Sequence, residues 1–99
     1  MKTKQTDLLN WLVTWFCEQT DGLWEHQHGI TIETLDNPGW HVEIDLQGTP
    51  LEGKSMKPVF GNKKHDGWIN AKVENSKFIG SCDSTALTTL LNIFRQWAV

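Results

Sequence analysis

From Ile30 to Glu33 and again from Trp40 to Leu46 the apolar residues fall at every second position: Ile30 and Ile32, then Trp40, Val42, Ile44 and Leu46. Thr31, Glu33, His41, Glu43 and Asp45 fill the places between. A period of two is the signature of strands buried on one face only. On either side of the strand region the period lengthens. Leu8, Leu9, Trp11, Leu12, Trp15 and Phe16 recur at three- and four-residue spacing, and so do Leu87, Leu90, Leu91, Phe94 and Trp97. Each set makes an apolar stripe on a helix. An amphipathic helix at each end and half-buried strands between them must share one core.

The first helix is expected over Thr6 to about Thr20, capped by Thr6 or Asp7 and stopped by Gly22. Asn37-Pro38-Gly39-Trp40 separates the first two strands. Proline at its second position and glycine at its third predict a type II turn. A Gly- and Pro-containing connection covers 47–53, and a third strand is expected near Lys57–Asn62. Asp66-Gly67 signals a turn, Trp68–Glu74 a fourth strand, Asn75-Ser76 another turn and Lys77–Gly80 a short fifth strand. Asp83 or Ser84 is expected to cap the closing helix. Connections this short predict an antiparallel meander. The expected fold is α+β: an N-terminal helix, a meander sheet of about five strands and a C-terminal helix. Residues 1–99 form one domain, a two-layer sandwich with both helices on one sheet face and the other face open to water.

Ninety-nine residues suffice for one modest core, to which six Trp and four Phe contribute. No apolar run reaches the length of a membrane span, and the opening MKTKQTDLLN lacks the apolar segment of a secretory signal. Cys17 and Cys82 are not spaced as a metal pair and read as reduced thiols of a cytoplasmic protein, although the sequence is also compatible with a disulfide between them. The net charge of −3 is unevenly spread: residues 1–52 carry two Lys against nine acids, residues 53–99 seven basic residues against three acids. That asymmetry suits a charged partner, although the two halves can also attract one another.

Four kinds of chemistry can be weighed. Glu25, His26, His28 and His41 are metal-ligand types, which would allow a small metal-dependent hydrolase built on Glu25, His26 and His28; no recognised ligand motif arranges them. Asp21, Glu25 and Asp36 offer paired carboxylates, and Cys17 with His26 or His28 a nucleophile and base. Cys17, however, lies beside an apolar stripe and reads as a buried, inert thiol. Lys54, Lys57, Lys63, Lys64, Lys72 and Lys77, near Phe60 and Trp68, could track a nucleic-acid strand, but the chain is acidic overall. The open sheet face should display Thr31, Glu33, His41, Glu43 and Asp45, joined by Trp68, Asn70 and Lys72. An aromatic anchor bordered by acids suits a basic protein partner, and Glu33, His41, Glu43, Asp45 and Trp68 are the candidate contacts.

Trp11 to Trp15, Gln19, DGLWEH at Asp21–His26, Gly29, TLDNPGW at Thr34–Trp40, LEGK at Leu51–Lys54 and the final Phe94 and Trp97 together resemble the immunity protein 53 (Imm53) family of bacterial polymorphic toxin systems. The likeness covers nearly the whole chain. It implies a small cytoplasmic antitoxin that binds the C-terminal domain of a cognate toxin and blocks it. No catalytic activity, cofactor, metal, nucleic acid or membrane is implied, and either a monomer or a homodimer is compatible. In such a protein Trp24 and Trp40 belong to the core, while Asp21, Glu25 and Asp36 hold backbone groups of the connections. Two turns depart from the family pattern: Asn75-Ser76 stands for Asp-Gly, and Ser81-Cys82-Asp83 for a glycine-rich helix entry.

Overall fold

In the computed structural model, which describes residues 4–63 and 67–99 and the side chains of 7–61 and 67–99, the order is α1 (Lys4–Gln19), α2 (Trp24–Gln27), β1 (Ile30–Leu35), β2 (Gly39–Asp45), β3 (Val59–Lys63), β4 (Gly67–Glu74), β5 (Lys77–Asp83) and α3 (Leu87–Ala98). The five strands form one antiparallel sheet, and α1 and α3 pack together on one of its faces, an α+β fold.

The strand order is β1-β2-β5-β4-β3, which corrects the simple meander. The β1–β2 hairpin is followed by a connection that carries the chain to the far edge. From there β3, β4 and β5 return as a meander until β5 lies against β2. The long connection is held at several points. Leu46 and Leu51 are buried in it. The Thr49 hydroxyl donates to the Leu46 carbonyl at 2.7 Å and accepts the Leu51 amide at 3.1 Å. Glu52 accepts the Gly48 amide at 3.1 Å. Lys54 lies 5.2 Å from the Trp97 ring and donates to the Trp97 carbonyl. The Trp97 indole in turn donates to the Ser55 carbonyl at 2.9 Å. So the LEGK segment and the closing tryptophan bind one another.

Strand register divides the sheet into two faces. Val42, Ile44, Ala71, Phe78 and Cys82 point into the core with Leu8, Leu12 and Trp15 of α1 and Leu90, Leu91 and Phe94 of α3. Phe94 is fully buried, with ring centroids of Phe78, Trp15, Trp11 and Trp97 at 5.0, 5.4, 5.8 and 6.1 Å. Gly80 lets α3 come close to the sheet: a Cβ there would stand 2.6 Å from a methyl carbon of Leu90.

Several local expectations are corrected. α1 begins at Lys4, so Thr6 and Asp7 lie within its first turns and do not precede it. Leu9 faces out. Gly22 takes a positive φ of 92° but follows the helix end by three residues; the Thr20 hydroxyl, donating to the Cys17 carbonyl at 2.8 Å, finishes the last turn. The type II turn at Pro38-Gly39 is absent: Asn37–Pro38 is cis and Gly39, with no positive φ, is the first residue of β2. β5 continues to Asp83, so Ser81-Cys82-Asp83 is strand and not a helix entry. α3 opens at Ala86 without a side-chain cap, and Asp83 contributes its carbonyl to the Ala86 amide instead. Asn75 and Ser76 have φ of 55° and 58°, which makes a two-residue hairpin turn of type I′. The Asp66-Gly67 turn falls partly outside the described residues.

Candidate functional site

The DGLWEH segment has a structural use for both of its acids. The Asp21 carboxylate accepts the amides of Leu23 and Trp24, each at 2.9 Å. Glu25 reaches back to the amides of Asp21 at 3.0 Å and Gly22 at 2.8 Å. This is a reciprocal cap that starts the single turn of α2, a helix the sequence reading did not assign. Amide donors hold both carboxyls below their ordinary range. For Asp21 the Trp24 amide leads, then Leu23; for Glu25 its own amide leads, then those of Asp21 and Gly22. Trp24, thus placed, is buried against Trp15 and Phe16 and donates its indole N–H to the Gln47 carbonyl at 2.8 Å. Asp36, expected to act in the same way, is exposed and makes no side-chain hydrogen bond among the described residues.

The metal-ligand types do not converge. Glu25 is engaged in the cap, His26 is exposed, and His28 lies beside the Trp24 ring with Nδ1 3.8 Å from Asp45. Among the described residues no group of three His, Cys, Asp or Glu is placed to hold a metal ion. Cys17 is exposed, against the expectation of a buried thiol, and Cys82 is buried; both are free. Burial, with the Asp83 charge adding to it, pushes the Cys82 thiol up to about 11. Three of the lysines have partners within the chain: Lys54 is tied to Trp97, Lys72 pairs with Glu74 at 2.7 Å, and Lys77 lies between Glu43 and Asp45. The side chains of Lys63 and Lys64 fall outside those described.

The open sheet face is where the five candidate residues come together. Thr31 is opposite Glu43 and Glu33 opposite His41, so alternation turns all four away from Ile32, Val42 and the core, along with Asp45. On β4, Trp68 shares this face with Asn70 and Lys72, because its neighbours Ile69 and Ala71 oppose the core residues Cys82 and Gly80. β5 adds Lys77, Ile79 and Ser81, and β3 adds Phe60. Trp68 is half-buried and comes to rest over Gly39, where a Cβ would stand 3.1 Å from its ring.

One end of this face is polar and networked. His41 Nε2 is 2.9 Å from Glu43 Oε2, and His41 Nδ1 is 3.1 Å from Ser81 Oγ. Lys77 Nζ is 3.6 Å from Glu43 and 3.8 Å from Asp45, whose other oxygen accepts the Gly29 amide at 2.9 Å. The His41 hydrogen bond, with Lys77 adding to it, holds the Glu43 carboxyl below its usual range. The other end is more apolar. A hollow of about 260 Å³ is lined by Phe60, Asn70, Lys72, Ile79 and Ser81, with Ala71 and Gly80. Phe60 is among the most exposed large side chains of the protein.

With this geometry in view, the model of the immunity protein 53 family matches residues 9–99. The chain belongs to the immunity protein 53 family. Comparison with curated proteins and with solved structures finds no match. The family name speaks of immunity to a toxin, and so of a toxin partner. No helix among the described residues is long and apolar enough to cross a membrane.

Sequence reasoning missed Ile79, Ser81 and Lys77 as members of the face. Their signal was present: the expected strand Lys77–Gly80 already alternates Lys77 and Ile79 with Phe78 and Gly80, and Ser81 joins them once the strand runs on to Asp83. The strings that carry the sequence resemblance lie mostly elsewhere. DGLWEH caps α2, LEGK binds Trp97, and Phe94 centres the core.

Proposed function

We propose that this chain is an immunity protein that neutralises a cognate toxin by covering part of it with the open face of the sheet. The observation that carries the reading is the join, on one uncovered face, of an acidic patch (Glu33, Glu43 and Asp45, with His41) to an apolar one (Trp68, Phe60 and Ile79). Lys77 offsets one of the three carboxylates, so the patch keeps net negative charge. A partner that fits has basic residues next to a protruding apolar side chain. The charges would speed encounter, and the desolvated anchor would set how long the complex lasts. Occlusion requires no catalytic residue and no cofactor. The cytoplasm is the compartment in which such a chain would meet a toxin entering the cell.

The test is co-expression with the C-terminal domain of a polymorphic toxin, which the family reading expects to be encoded beside this chain. A complex of fixed stoichiometry and lost toxicity are expected. Trp68→Ala, and separately Glu43→Lys/Asp45→Lys, should each weaken binding by about 30-fold or more, the effect of losing about 2 kcal/mol at an interface anchor. If folded forms of both variants neutralise the toxin like the parent chain, the open face is not the binding surface.

A further inference from the structure

The two edges of the sheet are finished differently. β3, at one edge, is bracketed by Lys57, Pro58 and Lys63, residues that discourage a further strand. β1, at the other, reads ITIETL, with no lysine and no proline, and its register to β2 is unbroken. Its backbone direction is set by one bond: the Asp45 amide donates to the Gly29 carbonyl at 3.0 Å. In an antiparallel ladder such residues alternate, so Thr31 and Glu33 also turn their amides and carbonyls to β2. Those of Ile30, Ile32 and Thr34 therefore point out from the edge.

The helix layer stops short of this strand. Ile32 is on the helix side of the sheet yet 39% exposed, and Leu9 and Val13 of α1 are 58% and 59% exposed. Leu12, Val13, Phe16 and Ile30 line an apolar hollow of about 270 Å³ between α1 and β1. Among the described residues this ledge carries no charge. A basic partner finds carboxylates on the open face and none here, so the matching surface is itself uncharged, apolar and strand-edged.

We infer that β1 pairs with β1 of a second copy of this chain, about a twofold axis at Ile32. Ile32 then faces Ile32 of the second copy, and each Thr31 faces the other chain's Glu33. Both sets of outward amides and carbonyls find partners. Sliding the pair to centre on Glu33 would set like charges opposite one another, which disfavours that register. The twofold is perpendicular to the sheet. Both apolar ledges therefore meet on the helix side, while both open faces stay uncovered on the other.

Light scattering and sedimentation of the purified full chain, from a few to several hundred micromolar, test this. The parent chain should have twice the mass of one chain. Ile32→Lys and Val13→Glu should each be monomeric at concentrations where the parent is dimeric, with unchanged circular dichroism. Gln96→Lys, which adds the same charge on an exposed turn of α3, should remain a dimer. A parent chain monomeric throughout the range overturns the inference, as does a dimer indifferent to both ledge variants. A monomer that loses toxin binding on Ile32→Lys would give the edge to a toxin strand and also overturn it. Toxin neutralisation is measured separately on the same variants, so either reading can fail alone.

Discussion

Replacing Gly39 by alanine isolates what the β2–β5 junction requires. Gly39 has no positive φ, so the need for glycine there is one of space. A Cβ would stand 2.4 Å from the Cys82 carbonyl oxygen, 3.1 Å from Asn37 Oδ1 and 3.1 Å from the Trp68 ring. The two side chains can turn aside. The carbonyl cannot, because Cys82 is fully buried and Gly39 is held opposite Asp83 in the ladder. Restoring an ordinary contact would move one strand by about 1 Å, and overpacking of that kind costs about 1–3 kcal/mol. A ladder hydrogen bond broken by the shift adds about 1 kcal/mol. The expected loss is about 3 kcal/mol, read in urea denaturation as a lower midpoint at unchanged slope, or as a fall in Tm of roughly 12–24 °C for a chain this size. Gly29→Ala is the internal control. Gly29 has ordinary φ and open space where its Cβ would lie, so that change should be neutral or stabilising by up to about 1 kcal/mol. If the two variants unfold alike, steric exclusion at Gly39 is not what the fold depends on.

The reciprocal cap at Asp21 and Glu25 should make α2 sensitive to acid. Both carboxyls are lowered in the folded chain, so their contribution is complete above the ordinary carboxylate range and is lost as pH falls through the lowered values, from about pH 4 downward. Amide exchange or Trp24-sensitive fluorescence during acid titration should show that loss, and Glu25→Ala should reduce the acid dependence. A thiol reagent such as dithionitrobenzoate should modify Cys17 in the native protein and Cys82 only after denaturation; two equivalents reacting at the native rate would contradict the burial of Cys82. Ser76→Gly should raise stability by about 1 kcal/mol in thermal unfolding, because glycine adopts the positive φ of the type I′ turn without the penalty a Cβ brings.

The alternation at Ile30–Leu46 and the stripes of α1 and α3 were legible because burial on one face writes itself into spacing. Strand order was not. Whether β2 lies beside β3 or β5 depends on the path of the 46–58 connection, and that path is fixed by contacts such as Lys54 to Trp97 that are distant in sequence. The Pro38-Gly39 turn misled for a similar reason. Its glycine reads as a turn residue, yet the need for it comes from Cys82, which lies on the neighbouring strand but distant in sequence. On the open face, membership of Glu33, His41, Glu43, Asp45 and Trp68 followed from alternation. The hollow beside Phe60 did not, because it takes three strands in register to make it.

Acids of the first half of the chain sort by what their neighbours need. Asp21, Glu25 and Glu52 sit where the chain leaves regular structure, and each accepts backbone amides that would otherwise lack partners. Their charge is a by-product of that task, and a partner that drew on them would loosen α2 or the 46–58 connection. Glu33 and Glu43 sit in the middle of strands and, among the described residues, accept no backbone amide; Glu43 engages the His41 and Lys77 side chains on the open face instead. Asp45 stands between, giving one oxygen to Gly29 while the other approaches Lys77. Asp21, Glu25 and Glu52 belong to the DGLWEH and LEGK strings on which the sequence resemblance rests, and the proposed recognition surface lies in the second group. Residues that hold the scaffold together and residues free to meet a toxin are thus different sets in this chain, so a likeness carried by the first says little about which partner the second would bind.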